Sequence, residues 1–149
     1  MRFTHSMLGT AALATVALAA TTALAGPASA APNTTPQKVC GSGYKTVNSA
    51  AVGTLGTVYL AYNAGNGNNC VVTIRNNPGT AMDMAAWIYV PETNEGDSDS
   101  GRYTSFAGPS YVIGKNLCVD WGGSIGNTTV AVTGSNCGSL KEHRTTTTR

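Results

Sequence analysis

The stretch that most constrains this chain runs from Gly56 to Asn76, GTVYLAYNAGNGNNCVVTIRN, two runs of alternating residues joined by Gly and Asn. Successive side chains of a strand point to opposite faces, so Val58, Leu60 and Tyr62 share one side while Thr57, Tyr59 and Ala61 share the other. In the returning run Cys70, Val72 and Ile74 line one face and Val71, Thr73 and Arg75 the opposite one, with Arg75 marking the second set as wet. The dry face is then expected to be Val58, Leu60, Tyr62, Cys70, Val72 and Ile74. The loop from Asn63 to Asn69 carries Gly65 and Gly67 among its Asn residues, types that tolerate positive φ. It is long for a tight turn and leaves the register open. A lone hairpin is marginal in water, so further strands must cover this one.

Those strands are legible along the chain. Residues 82–90, MDMAAWIYV, alternate Met82, Met84, Ala86, Ile88 and Val90 with Asp83, Ala85, Trp87 and Tyr89. A helix is the alternative there, but Trp, Ile, Tyr and Val favour a strand. Shorter strand-like runs are expected at residues 44–47, at 103–107 and 111–113 with a bend at Gly108-Pro109, and at 117–121 and 128–133 around the turn GGSIGN. The last hairpin would group Leu117, Val119 and Trp121 with Val130 and Val132. Asn76-Asn77-Pro78-Gly79 is a turn. Residues 31–38, APNTTPQK, read as an extended arm, residues 92–101, ETNEGDSDSG, as an exposed acidic loop, and residues 141–149, KEHRTTTTR, as a frayed or weakly docked tail. The pattern indicates an all-β domain, a small antiparallel β-sandwich with a small β-barrel as the alternative.

Residues 1–30 have the layout of a secretory signal peptide: Arg2, an apolar run from Met7 to Leu24, then Ala28-Ser29-Ala30 before the expected cut. Thr residues interrupt the run and its exit is small, which favours cleavage over a retained membrane anchor. Residues 31–149 then form a single domain. All four cysteines, Cys40, Cys70, Cys118 and Cys137, lie in that part, and an even count in an exported chain implies two disulfides. Of the three connectivities, Cys40 with Cys70 and Cys118 with Cys137 is expected, because each pair clips a local unit. No CxxC pair is present, which argues against zinc or a redox motif.

Loss of Arg2 with the signal takes nine basic residues to eight against seven acids. No basic cluster offers a footprint for nucleic acid or an anionic membrane. Charged residues are 11% of the chain, against about 25% in typical domains, and Thr, Ser, Asn and Gly fill the surface instead.

Chemistry-bearing motifs are sparse. Gly122-Gly123-Ser124-Ile125-Gly126 matches the G-x-S-x-G nucleophile elbow, but that motif needs a strand-to-helix turn and a strand is expected next. Ser124, Asp120 and His143 are the nameable catalytic candidates. Adjacent Glu142 and His143 offer no triad geometry by themselves. Glu92, Glu95, Asp97 and Asp99 crowd one stretch that begins like a calcium loop but lacks its later ligands and final Glu, so a solvated acidic loop is the simpler reading. Tyr59, Trp87 and Tyr89 fall opposite the apolar sets and are able to stack on sugar rings, although burial under a second layer is the commoner fate. No metal site, cofactor or catalytic set is expected. Asn33 and Asn127 begin glycosylation sequons.

The blocks APNTTPQKVC, GTVYLAYNAGNGNNCVVTIRN, YVIGKNLCVDWGGSIG and NCGSLKEHRTTTTR together resemble the spore-associated protein A family of sporulating filamentous actinobacteria. The resemblance spans nearly all of residues 31–149 and is weakest over 92–101. It implies a small exported protein found with spores or aerial growth, and brings no catalytic residue, cofactor or ligand. The expectation is a non-enzymatic, secreted protein of the spore or cell surface, attached noncovalently to a spore-wall or cell-wall polymer and without stable membrane insertion once the signal is removed. An extracellular glycan- or protein-binding module is the alternative.

Intact-mass analysis of the secreted protein should return residues 31–149 with two hydrogens fewer per disulfide. A mass starting at Gly26 would move the cut to follow Ala25.

Overall fold

The computed structural model describes residues 33–138 and 144–148. The expected signal peptide and His143 lie outside the described residues. One helical turn, α1 (Pro36–Cys40), precedes nine strands: β1 (Lys45–Val52), β2 (Gly56–Asn63), β3 (Asn68–Arg75), β4 (Met82–Val90), β5 (Glu95–Tyr103), β6 (Phe106–Ile113), β7 (Val119–Ile125), β8 (Thr128–Ser135) and β9 (Arg144–Thr148). They form two packed antiparallel sheets, ordered β1-β2-β3-β6 and β5-β4-β7-β8-β9, and no closed barrel. The fold is the expected β-sandwich, with the disulfides Cys40–Cys70 and Cys118–Cys137. In the chain-entropy model each contributes about 3 to 4 kcal/mol.

The main core lies between the sheets. Val58, Leu60 and Val71 of the first meet Met84, Ile88, Val90, Trp121, Val130 and Val132 of the second. Strand β4 has the predicted bounds and the predicted buried set, Met84, Ala86, Ile88 and Val90. The expected inward group Val119, Trp121, Val130 and Val132 is also buried, with Leu117 packed against it.

The central hairpin corrects the expected faces. Asn63 pairs with Asn68, so a four-residue loop closes the hairpin and sets Leu60 opposite Val71 and Ala61 opposite Cys70. Val58, Leu60 and Tyr62 therefore share the inner face with Thr73, Val71 and Asn69, while Cys70, Val72 and Ile74 face outward with Ala61 and Tyr59. Arg75 misled as a marker of the wet face because it ends the strand, where its guanidinium donates to Thr80 O and Thr104 O, both at 2.9 Å.

That outward face of β3 is not wet. Cys40, Tyr44, Ala61, Cys70, Val72 and Ile74 form a second buried cluster, covered by the segment expected to be an extended arm. Thr35 caps α1 by accepting from Lys38 N at 3.3 Å, and Pro36 occupies its first turn, where a missing N–H is harmless. Gly41, at φ +116°, stops the turn once Cys40 has reached Cys70. Tyr111 Oη then donates to Cys40 O at 3.1 Å.

Three further expectations change. The bend at Gly108-Pro109 lies within one strand, β6, and Pro109 is tolerated there because β6 ends its sheet. Of residues 92–101, exposed as expected apart from half-buried Asp99 and Gly101, only 92–94 lie in a turn: β5 begins at Glu95 and pairs with β4 along its length. Within the tail, residues 144–148 are strand β9, paired with β8.

Gly122 and Gly123, expected in a turn, are strand residues of β7, and the hairpin turns on Gly126-Asn127 alone. Their smallness has a cause. The hydroxyl of buried Thr73 crosses between the sheets and donates to Ala85 O at 2.7 Å, and a Cβ at Gly123 would overlap Thr73 Oγ1. Ser110 Oγ makes a parallel crossing to Ala86 O at 3.1 Å.

Gly123→Ala should therefore cost about 1 to 3 kcal/mol as an overpacked site. Urea unfolding should show Thr73→Ala recovering part of that loss, so that the double variant is less destabilised than the sum of the two singles. Strict additivity would contradict the contact.

Candidate functional site

Directly opposed residues of antiparallel strands point to the same side, so the register fixes which side chains share the outer face of the five-stranded sheet. Trp87 lies opposite Ser98 on β5 and Gly122 on β7, and Tyr89 opposite Gly96 and Asp120. Ala85 lies opposite Ser100 and Ser124. The row through Trp87 continues from Gly122 to Ala131 on β8 and Thr146 on β9. Trp87 and Tyr89 are half-buried, set in a field of Ser, Thr, Gly and Ala.

Both rings rest on glycines. A Cβ at Gly122 would lie 2.5 Å from Trp87 Cζ2 and 2.7 Å from Cε2, so the indole lies down over β7. On the other side a Cβ at Gly96 would lie 3.1 Å from Tyr89 Cδ2. The Tyr89 hydroxyl donates to Asn94 Oδ1 at 2.6 Å, holding that ring toward the β4–β5 turn.

Tyr59 is elsewhere. It stands opposite Val72 on the outer face of the four-stranded sheet and packs against the second cluster. The structure thus brings Trp87 and Tyr89 together and sets Tyr59 on the far side of the sandwich. The four cysteines are paired in the two disulfides and none is free.

Glu95, Asp97 and Asp99 share one side of β5, opposite Val90, Ile88 and Ala86, where Asp99 is half-buried and Asp97 and Glu95 are exposed at the rim, and Glu92 is exposed in the turn before the strand. Asp99 accepts from Tyr103 Oη and from Gly108 N, both at 2.6 Å, and Asp97 accepts from Tyr111 N at 2.8 Å. The two carboxylates tie β5 to the free backbone edge of β6. Among the described residues no group of three or more His, Cys, Asp or Glu side chains is placed to hold a metal ion. The hydrogen bond to Asp99 raises the Tyr103 pKa above its ordinary value of 10.0, with desolvation and the carboxylate charge acting the same way. Burial raises that of Tyr111, with Tyr44 a second cause.

Ser124 is a strand residue of β7, followed by a turn and another strand rather than by a helix. Asp120 shares its strand and face but stands four residues away, roughly 13 Å along the chain. Its Oδ1 accepts from Gly134 N at 2.7 Å, across an irregularity in the β7–β8 pairing. The structure does not bring Asp120 and Ser124 together, and His143 lies outside the described residues.

Sequence reasoning missed the seats of the two rings and the inward turn of Asp97 and Asp99. Signals existed for both: glycine inside a strand marks close approach, and a spacing of two places both aspartates on one face.

No family model matches the chain, and no solved structure does. A protein of Streptomyces coelicolor named "Spore-associated protein A" is 49% identical over 123 residues, covering 83% of this chain and 80% of that protein.

A raised folded-state pKa means that the native protein holds the proton more tightly than the unfolded chain does. The stability Tyr103 contributes is therefore complete below pH 10.0 and falls as pH rises through the folded value. Melting temperature should stay level in weak alkali and drop above about pH 10, and Tyr103→Phe should make that drop shallower. Equal slopes in the two proteins would remove the Asp99 contact as a cause.

Proposed function

Because the chain belongs to the spore-associated protein A family, we propose that it is a secreted, non-enzymatic component of the spore or cell surface, held there by noncovalent contact with a wall polymer. The observation that carries this reading is the relative's identity, which extends over 83% of the chain rather than one motif.

The chemistry of the side chains supports it. Asp97, Asp99 and Asp120 accept backbone N–H groups, a structural use of carboxylates. Ser124 lies on a flat strand with only Ala85 and Thr129 directly opposite, and neither is a base. Two disulfides and an interlocked core suit a protein that persists outside the cell. The sparse charge of the surface leaves contact by stacking and neutral hydrogen bonds as the means of attachment.

The test is fractionation of sporulating cultures. The protein should remain with washed spores or aerial cells in buffer and be released by mild detergent without cleavage of a covalent bond. Recovery from culture fluid alone, with none on spores or cell surfaces, would overturn the proposal.

A further inference from the structure

We infer that the bare outer face of the five-stranded sheet is a binding site for a neutral β-1,4-linked polysaccharide, with Trp87 and Tyr89 as the two stacking rings. This deepens the surface reading by naming the polymer class, and it rests on that reading only for where the polymer is met.

The two sheets differ in a way that singles out this face. The outer side of the four-stranded sheet is covered by α1, fastened through Cys40–Cys70, and its aromatics Tyr59, Phe106 and Tyr111 pack against the cluster beneath that cover. Over the five-stranded sheet no described element is laid, and Trp87 and Tyr89 remain half-buried on its surface. Their exposed area is not an overflow from the core. Trp121 alternates with Gly122 on β7 and fills the inner side completely, at 0% exposure. The same sheet therefore carries one tryptophan on each face.

Ring orientation points to the ligand. A side chain at Gly122 or Gly96 would run into the sheet backbone and then the neighbouring ring, whereas glycine lets the Trp87 and Tyr89 rings sit close to the sheet, where aromatic rings can stack on a flat ligand. A pyranose ring offers a matching flat patch of C–H groups with hydroxyls at its rim. Around the rings, Ser98, Ser124 and Ala131 are too short to block a polymer, and the serines supply hydroxyls for that rim. Asp120, directly opposite Tyr89, has one oxygen held by Gly134 N, and among the described residues no group donates to the other.

Spacing and charge narrow the class. Trp87 and Tyr89 are two residues apart on β4, but their rings lean over opposite neighbouring strands, so the ring centres are separated by roughly 10 Å. That is the scale of a disaccharide, so the pair addresses an extended chain of coplanar sugars rather than a single one. The row Ser98, Trp87, Gly122, Ala131, Thr146 contains no ionisable group, which complements an uncharged polymer. The charged positions that share the face by register, Asp83 opposite Arg102, Asp120, and Arg144 opposite Thr133, are two acidic and two basic and offer a polyanion no net attraction.

The test uses the full secreted protein with its disulfides intact. Depletion from solution by microcrystalline cellulose and by chitin forms two arms, which separate an unsubstituted from an N-acetylated polymer; binding in either supports the proposal and names the source. Trp87→Ala should weaken binding by about tenfold or more, the scale of one lost stacked ring, and Tyr89→Ala by a similar factor. Trp87→Phe should retain most of the affinity. Tyr59→Ala, on the far face, should bind as the parent does, and molar salt should change little. A second readout needs no variant: in the parent protein Trp87 is the tryptophan open to acrylamide quenching, and cellohexaose or chitohexaose should protect it.

Binding to neither polymer, a Tyr59→Ala loss equal to that of Trp87→Ala, abolition by salt, or unchanged quenching with both hexaoses would each overturn the inference. Spores that retain the protein while it ignores both polymers would sink this inference and leave the surface assignment standing.

Discussion

Strand β3 is buried on both faces, and the rest of the architecture follows from covering it twice. Inward, Val71 and Thr73 meet the second sheet; outward, Cys70, Val72 and Ile74 need a cover that a two-layer sandwich does not provide. Residues ahead of β1 provide it. The Thr35 cap and Pro36 start one turn of helix, Gly41 ends it, and the disulfide from Cys40 to Cys70 fixes it over the strand. So short a helix has no independent stability, since nucleation is unfavourable and only five residues follow the cap. Its order comes from the crosslink and from the cluster it closes. The cost of covering one sheet is asymmetry: the other is left with an open outer face.

The sandwich also comes close to being a barrel without becoming one. Strands β5 and β6 end their respective sheets and run beside each other, but carboxylates rather than a ladder join them: Asp99 to Gly108 N and Asp97 to Tyr111 N. At the opposite seam Asn48 Nδ2 donates to Ser135 Oγ at 3.1 Å, linking β1 to β8. The two aspartate bonds occupy backbone N–H groups of the β6 edge that would otherwise be free to pair with another chain, and inward-pointing charge on an edge strand is a known guard against such pairing. From within, Thr73 and Ser110 tie the two sheets together by their short hydroxyl side chains.

Legibility in the sequence tracked how much a segment depends on local pattern. Strand β4 was fully legible because apolar alternation, strand-forming types and a stopping Pro91 agree. The disulfide pairing was legible because each bridge closes a unit already suggested by the strands. The faces of the hairpin were not: alternation sorts each strand's residues into two sets but does not say which sets pair, and a one-residue change in register exchanges them. Strand β5 was hidden because Gly, Ser and Asp are poor strand formers, and its order comes from β4 on one side and β6 on the other. Residues 144–148 look like tail for the reverse reason, since a run of Thr forms a strand readily but has the composition of low complexity. Of the three aromatics singled out, Trp87 and Tyr89 share a face because they are two apart on one strand. Tyr59 had no such tie, and only the topology separates it from them.

Gly122 and Gly96 pose the question that links stability to surface chemistry. Valine or threonine would make better strands at either position, and glycine inside a strand is a loss unless something needs the space. At Gly123 the need is internal, because Thr73 approaches from the facing sheet. At Gly122 and Gly96 an added Cβ would meet backbone first, Val130 O and Ile88 O, and then the rings of Trp87 and Tyr89; Gly122 is buried under the indole, which recovers part of that loss, while Gly96 stays exposed beside Tyr89. Yet ring and glycine together are not the most stable solution for an outer face, since two β-branched residues opposite each other would pair well and bring no aromatic surface to water. What the ring on glycine gives, and the β-branched pair cannot, is a low, level aromatic surface. Levelness has no value for folding, because the outer face packs against nothing described. It has value for contact with something flat.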